Sequence, residues 1–260
     1  MQHSKTASDD DLYQRIKAPS PYELVARQIE QRIMSGQLRP GDEVGTEAEL
    51  VRQFGVTRST VREGIRMLEQ AGLVQREAGR RLFVTVPHYS ALSSRMSRAM
   101  VLSEVTFQEI FGASLVLEMG TAEAAATNAT PEDIAALEEN LEQSREAVAD
   151  PVRLADLDTA FHRLVARAAH NRVLELAREP AALLFFPTSE MICRTVPEGS
   201  GRMVEAHGLI VAAIRAGDVE EARQWMRRHV TDWLKGFRRA GKDPSAPVER
   251  ALGMVTGDDL

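Results

Sequence analysis

Three histidines and one aspartate in the C-terminal half of the chain have the residue types and spacing of a metal-binding set. Asp158 and His162 lie four residues apart, where helical side chains can converge, and His207 and His229 each fall on an apolar helical stripe. One histidine on such a stripe is usually a hydrogen-bonded core residue, whereas a buried carboxylate without a partner is costly. One oxygen and three nitrogen donors would suit a divalent cation. Spacing alone leaves the core and metal interpretations open.

A second pattern with chemical meaning is the crowding of hydroxyls and arginines in GVTRSTVREGIRMLEQAGLVQR, residues 55–76. Val61, Ile65 and Leu68 form the apolar stripe of an amphipathic helix. The polar flank carries Arg58, Ser59, Arg62 and Arg66, with Thr57 and Thr60 at the helix start. Arginine can read guanine edges, and hydroxyls and N-terminal amides can hold phosphates. The polar side chains of an isolated amphipathic helix usually form only its solvent-exposed face. The neighbouring elements therefore decide whether this helix binds nucleic acid.

Two further helices and a hairpin are predicted around this helix. YELVARQIEQRIMSG has one apolar face, and TEAELVRQFG has capping-box spacing between Thr46 and Glu49. The segment LVQREAGRRLFVTV alternates like a two-stranded hairpin, with a tip at Gly79, Arg80 and Arg81. Such a series of helices, tight turn and basic hairpin predicts a winged helix-turn-helix, whose recognition helix enters the DNA major groove.

The remainder of the chain is predicted to be all-helical, which makes the fold class mainly α. Beyond Pro87 alanine, leucine and glutamate dominate, and Pro, Asn or Gly-Asp separate the segments. Short connections predict an antiparallel bundle, with helices at 89–102, 106–128, 131–149, 152–169, 172–195, 199–216 and 219–240. The fifth contains Pro180 and Pro187 and should be kinked or split.

Four regions follow from these elements. A DNA-binding winged helix-turn-helix and a helical domain for effector, metal and dimerisation are flanked by a flexible N-terminal arm and a flexible C-terminal tail. In chain order, the arm, the two domains and the tail cover residues 1–18, 19–87, 88–241 and 242–260.

Composition and charge limit the function classes. The 260-residue chain has a net charge of -6, but residues 19–87 hold 10 basic against 9 acidic side chains, and residues 88–260 hold 19 against 26. The small module could therefore meet nucleic acid while the acidic remainder stays away. One cysteine, Cys193, excludes an internal disulfide framework. No apolar run approaches the roughly 20 residues of a membrane span, and the N-terminus lacks an apolar signal core, so a cytoplasmic location without membrane contact is expected.

The stretch from Tyr22 to Val86 resembles the winged helix-turn-helix of the GntR transcription regulators, above all in TEAELVRQFGVTRSTVREGIRMLEQAGLVQREAG. Ala48 departs from relatives with a basic residue there, and Arg81 replaces a frequent second wing glycine. The operator sequence therefore cannot be transferred from them. The resemblance implies a DNA-contacting set in the recognition helix and the basic wing: Thr57, Arg58, Ser59, Thr60, Arg62, Gly79, Arg80 and Arg81.

Three later segments, DTAFHRLVARAAHN, EAHGLIVAAIRAGD and EEARQWMRRHV, are similar to the C-terminal FCD domain of the FadR subfamily of these regulators. In its metal-containing members an aspartate, the histidine four residues on and two later histidines bind the ion. Relatives that sense organic acids often have an arginine where this chain has Ser114, so a simple carboxylate–arginine clamp is not expected. The resemblance implies a divalent metal, zinc first and nickel or manganese as alternatives, held by Asp158, His162, His207 and His229.

Together these features predict a ligand-responsive transcription regulator, a repressor relieved by its effector, and not an enzyme. One recognition helix reads only a few base pairs, so a homodimer on a palindromic double-stranded DNA operator is expected. The residues that bind the effector are not identified, and the effector would be an organic acid or a larger apolar ligand. Two alternatives are a metal-dependent hydrolase, because an open metal site can activate water, and a dimerisation scaffold with a structural metal and no effector response.

Overall fold

The computed structural model describes residues 19–77, 81–87, 89–196 and 198–248, which form eleven helices and three strands. The chain divides into two compact units after residue 88, one residue beyond the predicted boundary. Each unit has its own apolar core. The mainly helical fold with a small N-terminal sheet has the predicted class. None of the described helices combines the length and apolarity that a membrane crossing requires. The predicted arm at 1–18 lies outside the described residues.

The N-terminal unit combines three helices with a small antiparallel sheet. Its core is formed by the first and third helices and the sheet, where Val61 and Leu82 are fully buried. Gly64 allows these two helices to approach closely, because a Cβ there would lie 2.9 Å from the Tyr22 carbonyl oxygen. The elements in chain order are α1 (Pro21–Met34), β1 (Glu43–Thr46), α2 (Glu47–Phe54), α3 (Arg58–Gln70), β2 (Val74–Arg76) and β3 (Arg81–Val84).

The sheet differs from the predicted two-stranded hairpin in one respect. β3 pairs with β2 as expected, and its other edge pairs with β1, which gives the order β1-β3-β2. Glu43 lies opposite Phe83, so the partner of this short strand is far away in the sequence and no local pattern indicates it. The predicted wing-tip residues Gly79 and Arg80 lie outside the described residues.

A tight turn joins the two helices of the helix-turn-helix. Thr46 and Glu49 begin α2 with the predicted capping box, in which the hydroxyl and the carboxylate each accept a backbone N–H. Gly55 ends α2 in the left-handed conformation, with φ of 63°, which glycine adopts without steric cost. Thr57 then caps α3 by accepting the N–H of Thr60. These local bonds fix where the recognition helix starts.

The C-terminal unit is an all-helical bundle around α5, which packs against α7, α8, α10 and α11. Side-chain oxygens cap α5, α6, α7, α8 and α11, which explains where these helices begin. The helices are α4 (Tyr89–Leu102), α5 (Phe107–Asn128), α6 (Pro131–Glu146), α7 (Pro151–Ala168), α8 (Arg172–Phe185), α9 (Thr188–Thr195), α10 (Gly199–Ala216) and α11 (Val219–Arg239).

Prolines shape the helices that follow α7. The helix predicted at 172–195 is split into α8 and α9 around Pro187, in line with the expectation of a kink or break. Pro180 instead lies inside α8, and its carbonyl oxygen accepts a hydrogen bond of 2.8 Å from the Ser97 hydroxyl on α4. The helix predicted at 131–149 is shorter and ends at Glu146.

The segment after α11 is not the flexible tail predicted from residue 242. Backbone N–H groups around the start of α5 bond to it: Gln108 donates to the Pro244 carbonyl at 2.8 Å and Phe107 to that of Ala246 at 3.4 Å. In return Val248, which is 1% exposed, donates to the Val105 carbonyl at 2.9 Å. The first turn of a helix leaves such N–H groups without partners, so residues 242–248 complete the bundle. Residues 249–260 lie outside the described residues.

Candidate metal centre and nucleic-acid interface

The structure brings together all four residues of the predicted metal set. Asp158 and His162 come from α7, His207 from α10 and His229 from α11, and all four are buried. Asp158 Oδ1 lies 3.3 Å from the Nε2 atom of His207, 3.8 Å from that of His162 and 3.9 Å from that of His229. The Nε2 atom of His229 is 3.1 Å from that of His162 and 3.3 Å from that of His207.

These distances fit a shared cation. Zinc held tetrahedrally at about 2.0–2.1 Å separates its ligand atoms by roughly 3.3–3.4 Å, and the closest ligand atoms of this group are spaced similarly. Asp158 Oδ1 is buried and accepts no hydrogen bond from the described residues. A buried carboxylate oxygen without a donor is costly, and a cation at the centre of the group would satisfy it. The four residues therefore can hold a metal ion.

The electrostatics of the group favour the forms that bind metal. Burial, followed by the charges of neighbouring histidines, lowers the pKa values of His207 and His229 well below the usual range. Both rings are therefore neutral near pH 7, with lone pairs available for an ion. Burial raises the pKa of Asp158, against the opposing effects of His162 and His229. A bound cation would stabilise its ionised form.

Glu118 on α5 sets the orientation of His162. Its Oε2 atom lies 2.8 Å from His162 Nδ1, and its Oε1 atom accepts a hydrogen bond of 2.8 Å from Arg178 Nε. Burial alone would raise the pKa of Glu118, but the charges of His162 and Arg178 and their hydrogen bonds lower it to about 2. The carboxylate can only accept, so Nδ1 of His162 donates to it, and Nε2 is the ring atom that faces the other ligand atoms.

Arg178 is a site residue that the sequence analysis missed. It is 3% exposed and ion-paired with Glu118, and Nη2 as well as Nε lies 2.8 Å from Oε1, although only Nε has hydrogen-bonding geometry. An arginine on the buried stripe of α8, between Leu174 and Phe185, was the available indication. Glu118 was missed as well, and Ser114, one turn before it on α5, is buried and supplies no charge.

Other contacts hold the remaining ligands in place. The Ser189 hydroxyl lies 2.7 Å from Asp158 Oδ2, which leaves Oδ1 facing the histidines. The rings of Phe161 and His207 stack at 3.7 Å with an interplanar angle of 12°. Packing and hydrogen bonds of this kind fix ligand geometry before an ion binds.

A cleft of about 640 Å³ lies beside this group, and Ser189 and His229 contribute to its wall. Acidic residues in its lining are Glu205, Glu220 and Asp232, and Asp232 is already paired with Arg202 at 2.8 Å. Basic residues outnumber them: Arg202, Arg223, Arg227, Arg228 and Lys235. Arg223 is also paired, with Glu220 at 3.1 Å, so the lining carries an excess of two basic side chains over the acidic ones.

The predicted DNA-contacting residues at the start of α3 lie together on its exposed side. Thr57 is the helix cap, and its hydroxyl also lies 2.9 Å from the Ser59 hydroxyl and 2.8 Å from that of Thr60. The Arg58 side chain is 69% exposed, and Arg62 is exposed one turn further on. The hydroxyls and arginines thus form one polar surface at the helix N-terminus, where phosphates bind readily.

The described part of the wing contains one of the three predicted basic-tip residues. Arg81 begins β3, and its Nη1 atom lies 2.8 Å from Glu43 Oε2 across the β1–β3 pair. This ion pair is exposed, so it does not prevent the guanidinium from meeting a phosphate. Gly79 and Arg80 stay predictions because they lie outside the described residues.

Comparison with known proteins gives a consistent picture for both units. Residues 21–84 match the gntR family of bacterial regulatory proteins, and residues 109–232 match the FCD domain. The chain is 27% identical over 212 residues to the HTH-type transcriptional regulator LutR of Bacillus subtilis, covering 79% of this chain and 97% of LutR. It is 28% identical over 225 residues to the HTH-type transcriptional repressor NanR of Klebsiella aerogenes, covering 85% and 86%.

A solved structure shows the same overall fold. The Streptococcus agalactiae protein described as GntR aligns with a TM-score of 0.57 and 23% sequence identity, over 82% of this chain and 99% of that chain. At this identity the likeness concerns the fold alone.

Proposed function

Since this chain belongs to the gntR family of bacterial regulatory proteins and carries an FCD domain, we propose that it is an operator-specific repressor that an anionic effector removes from DNA. Its relatives LutR and NanR are transcription regulators rather than enzymes, which argues against the hydrolase alternative. The observation that carries the proposal is the pairing of a DNA-binding unit with a buried metal-binding group beside a cationic cleft. A regulator that acts on bacterial DNA would work in the cytoplasm.

In this proposal α3 enters the major groove. Arg58 and Arg62 read base edges, while Thr57, Ser59 and Thr60 hold phosphates through hydroxyls or N-terminal amides. Arg81, at the start of β3, contacts the neighbouring DNA backbone, and Gly79 and Arg80 are expected from the sequence to do the same. A homodimer places two such helices on the half-sites of a palindromic operator.

The proposed ion is zinc, held by Asp158, His162, His207 and His229. One oxygen and three imidazole nitrogens suit a cation of intermediate softness such as zinc. Nickel and manganese are the alternatives, and metal analysis would distinguish the three. When bound, the ion would supply a positive charge, and an ion that accepts five or six ligands would also leave a position for an oxygen ligand. Ser189 orients Asp158, and Glu118 orients His162, so the chain's own side chains prepare the site.

The proposed effector is a small organic acid. The excess of basic side chains in the cleft favours an anion over the alternative of a larger apolar ligand. Arg227 and Lys235 are exposed members of the lining on α11, so they can meet a carboxylate as it approaches His229. Binding would reorder the helices around the metal and lower operator affinity through coupling.

Citrate titrated into the protein–operator complex tests the effector proposal. The operator is first located among fragments of the gene's own neighbourhood at fixed salt, because phosphate contacts make affinity salt-dependent. Citrate should raise the operator Kd roughly 5- to 150-fold, and chelation of the metal should remove this response. Glycerol, a neutral polyol, should have no effect.

A pair of double variants shows whether the cleft is responsible. Arg227→Ala with Lys235→Ala should weaken the citrate response without changing operator affinity in its absence. Arg238→Ala with Arg239→Ala removes the same charge from exposed positions on the same helix and should leave the response intact. If neither citrate nor other small carboxylates change operator affinity, the protein is instead a scaffold with a structural metal.

Glu118→Gln should lower metal affinity about 10- to 100-fold. The amide oxygen can still accept a hydrogen bond from His162 Nδ1, but the neutral group makes the imidazole a weaker ligand. Competition against a chelator of known affinity measures the change. Glu123→Gln, an exposed position on the same helix, is the matched control and should bind metal normally.

Among the described residues, the same substitution leaves the buried Arg178 with only its 3.4 Å pair to the partly exposed Glu179, which destabilises the fold. Adding Arg178→Met should therefore recover part of the lost thermal stability while metal affinity stays low. Wild-type metal affinity in the Glu118→Gln variant would show that Glu118 only neutralises Arg178.

A further inference from the structure

A nearly buried carboxylate lies among the arginines at the start of the recognition helix. Glu47 is the first residue of α2, and its side chain is 13% exposed. Its Oε1 atom lies 2.9 Å from Arg76 Nη1, and its Oε2 atom lies 3.4 Å from Arg58 Nε. Arg76 in turn lies 3.4 Å from Glu69 Oε1. The carboxylate therefore joins three consecutive elements, α2, α3 and β2.

The charge of Glu47 is maintained by its neighbours. Burial would raise the pKa of this carboxyl, but hydrogen bonds from Arg76 and Arg58 and the charges of Arg76 and Arg62 lower it. The group is thus a permanent anion next to the two arginines that the proposed function places against DNA. A negative charge in that position repels phosphates and costs total DNA affinity.

Helix capping does not account for Glu47. The start of α2 is already satisfied by Thr46 and Glu49, which form a complete capping box. The contact with Arg58 gives the carboxylate a clearer role, because an exposed arginine has many rotamers and can bind any phosphate within reach. A carboxylate that holds the guanidinium reduces the side-chain entropy lost when DNA binds. It also makes contacts between this arginine and the DNA phosphates less favourable.

We propose that Glu47 is a positioning residue for sequence discrimination, which holds Arg58 for base reading and ties the wing strand to the recognition helix through Arg76. Glu47 lowers the total affinity for DNA but raises the discrimination between sequences. Without this carboxylate, Arg58 would bind phosphates more freely and would contact its base less selectively. The inference rests on the proposed function of α3 and adds to it a residue outside the recognition helix.

Glu47→Gln in the full-length protein tests this role, because the amide keeps the size and loses the charge. Operator Kd and the Kd for an unrelated duplex are measured at two salt concentrations, together with the thermal unfolding midpoint. Affinity for the unrelated duplex should rise, and the ratio of specific to non-specific affinity should fall about tenfold. Glu63→Gln is the matched control, since Glu63 lies on α3 and pairs only with Arg66 among the described residues, at 2.6 Å. The ratio of specific to non-specific affinity should not change in Glu63→Gln.

Two results would overturn the inference. In one, both affinities rise together in Glu47→Gln and the ratio is constant, so the carboxylate is only a nearby charge. In the other, the unfolding midpoint falls while the ratio is constant, so its role is only structural. Arg58→Ala in the same experiment separates this inference from the proposed function. If operator affinity survives Arg58→Ala, the placement of α3 is wrong; if it is lost while Glu47→Gln keeps the ratio, only the inference about Glu47 fails.

Discussion

Replacing Arg58 and Arg62 together by alanine should weaken operator binding roughly 30-fold to 10⁴-fold, because each bidentate arginine–guanine pair is worth about 1–3 kcal/mol. Both side chains are exposed, so their truncation leaves the apolar core of the N-terminal unit unchanged. The metal-binding group belongs to the other compact unit. Metal content should therefore equal that of the unmodified protein.

The measurement must separate base reading from simple loss of charge. Arg27→Ala with Arg32→Ala removes two exposed arginines from α1 of the same unit, and it serves as the matched control. Fluorescence anisotropy with the operator and with an unrelated duplex gives both affinities for each variant. The control should lose little specific affinity. Equal losses of operator affinity in both double variants would mean that α3 contributes only charge. Undiminished operator binding by Arg58→Ala with Arg62→Ala would mean that α3 does not contact the DNA.

The sequence predicted the recognition helix well because the evidence for it is local. Thr57 is a cap that forms within one helical turn, and Val61, Ile65 and Leu68 repeat with the helical period and are all buried. The first strand of the sheet had no such pattern. Glu43 to Thr46 follow a Pro-Gly turn and pair with residues 81–83, and the register shifts between Glu43 and Gly45. A short, irregular strand whose partner is distant cannot be identified from alternation alone.

The same distinction applies to the metal centre. Asp158 and His162 are one turn apart, and the other two histidines lie on the buried faces of α10 and α11, so helical spacing was enough to predict that all four are buried. The resemblance to the FCD domain was needed to interpret them as one metal-binding set. The Glu118–Arg178 ion pair joins residues on α5 and α8 that are 60 positions apart. Each is a buried charged residue among the apolar residues of its helix, and nothing in either helix indicates the partner. Long-range polar contacts of this kind depend on tertiary packing, which single-sequence patterns do not contain.

The end of the chain shows how composition misleads. Residues 242–248, KDPSAPV, are polar and contain two prolines, which is typical of loose segments. Their order comes from backbone carbonyls that accept hydrogen bonds from Phe107 and Gln108 at the start of α5. Backbone bonds are independent of side-chain type, so the sequence gives no sign of them.

His207→Ala should eliminate stable metal binding. The Nε2 atom of His207 is the closest imidazole nitrogen to Asp158 Oδ1, at 3.3 Å, and its loss leaves three ligands instead of four. The effect should exceed the 10- to 100-fold weakening expected for an orienting residue such as Glu118. A ligand present at about 100 times its Kd stabilises the folded state by about 2.7 kcal/mol, which for a unit of this size corresponds to roughly 5–10 °C in the unfolding midpoint.

Chelation separates this effect from the packing that the variant also loses, since the His207 ring stacks on Phe161. The truncation lowers stability with or without metal, whereas only the metal-dependent part should disappear. Chelator should therefore lower the unfolding midpoint of the unmodified protein but not that of His207→Ala, and elemental analysis should find the variant depleted of metal. His170→Ala, a half-exposed histidine paired with Asp133 at 2.7 Å, should keep both the ion and the chelator response. Full metal occupancy in His207→Ala would reduce the site to Asp158, His162 and His229, and His207 would then be a core residue held by its stack on Phe161.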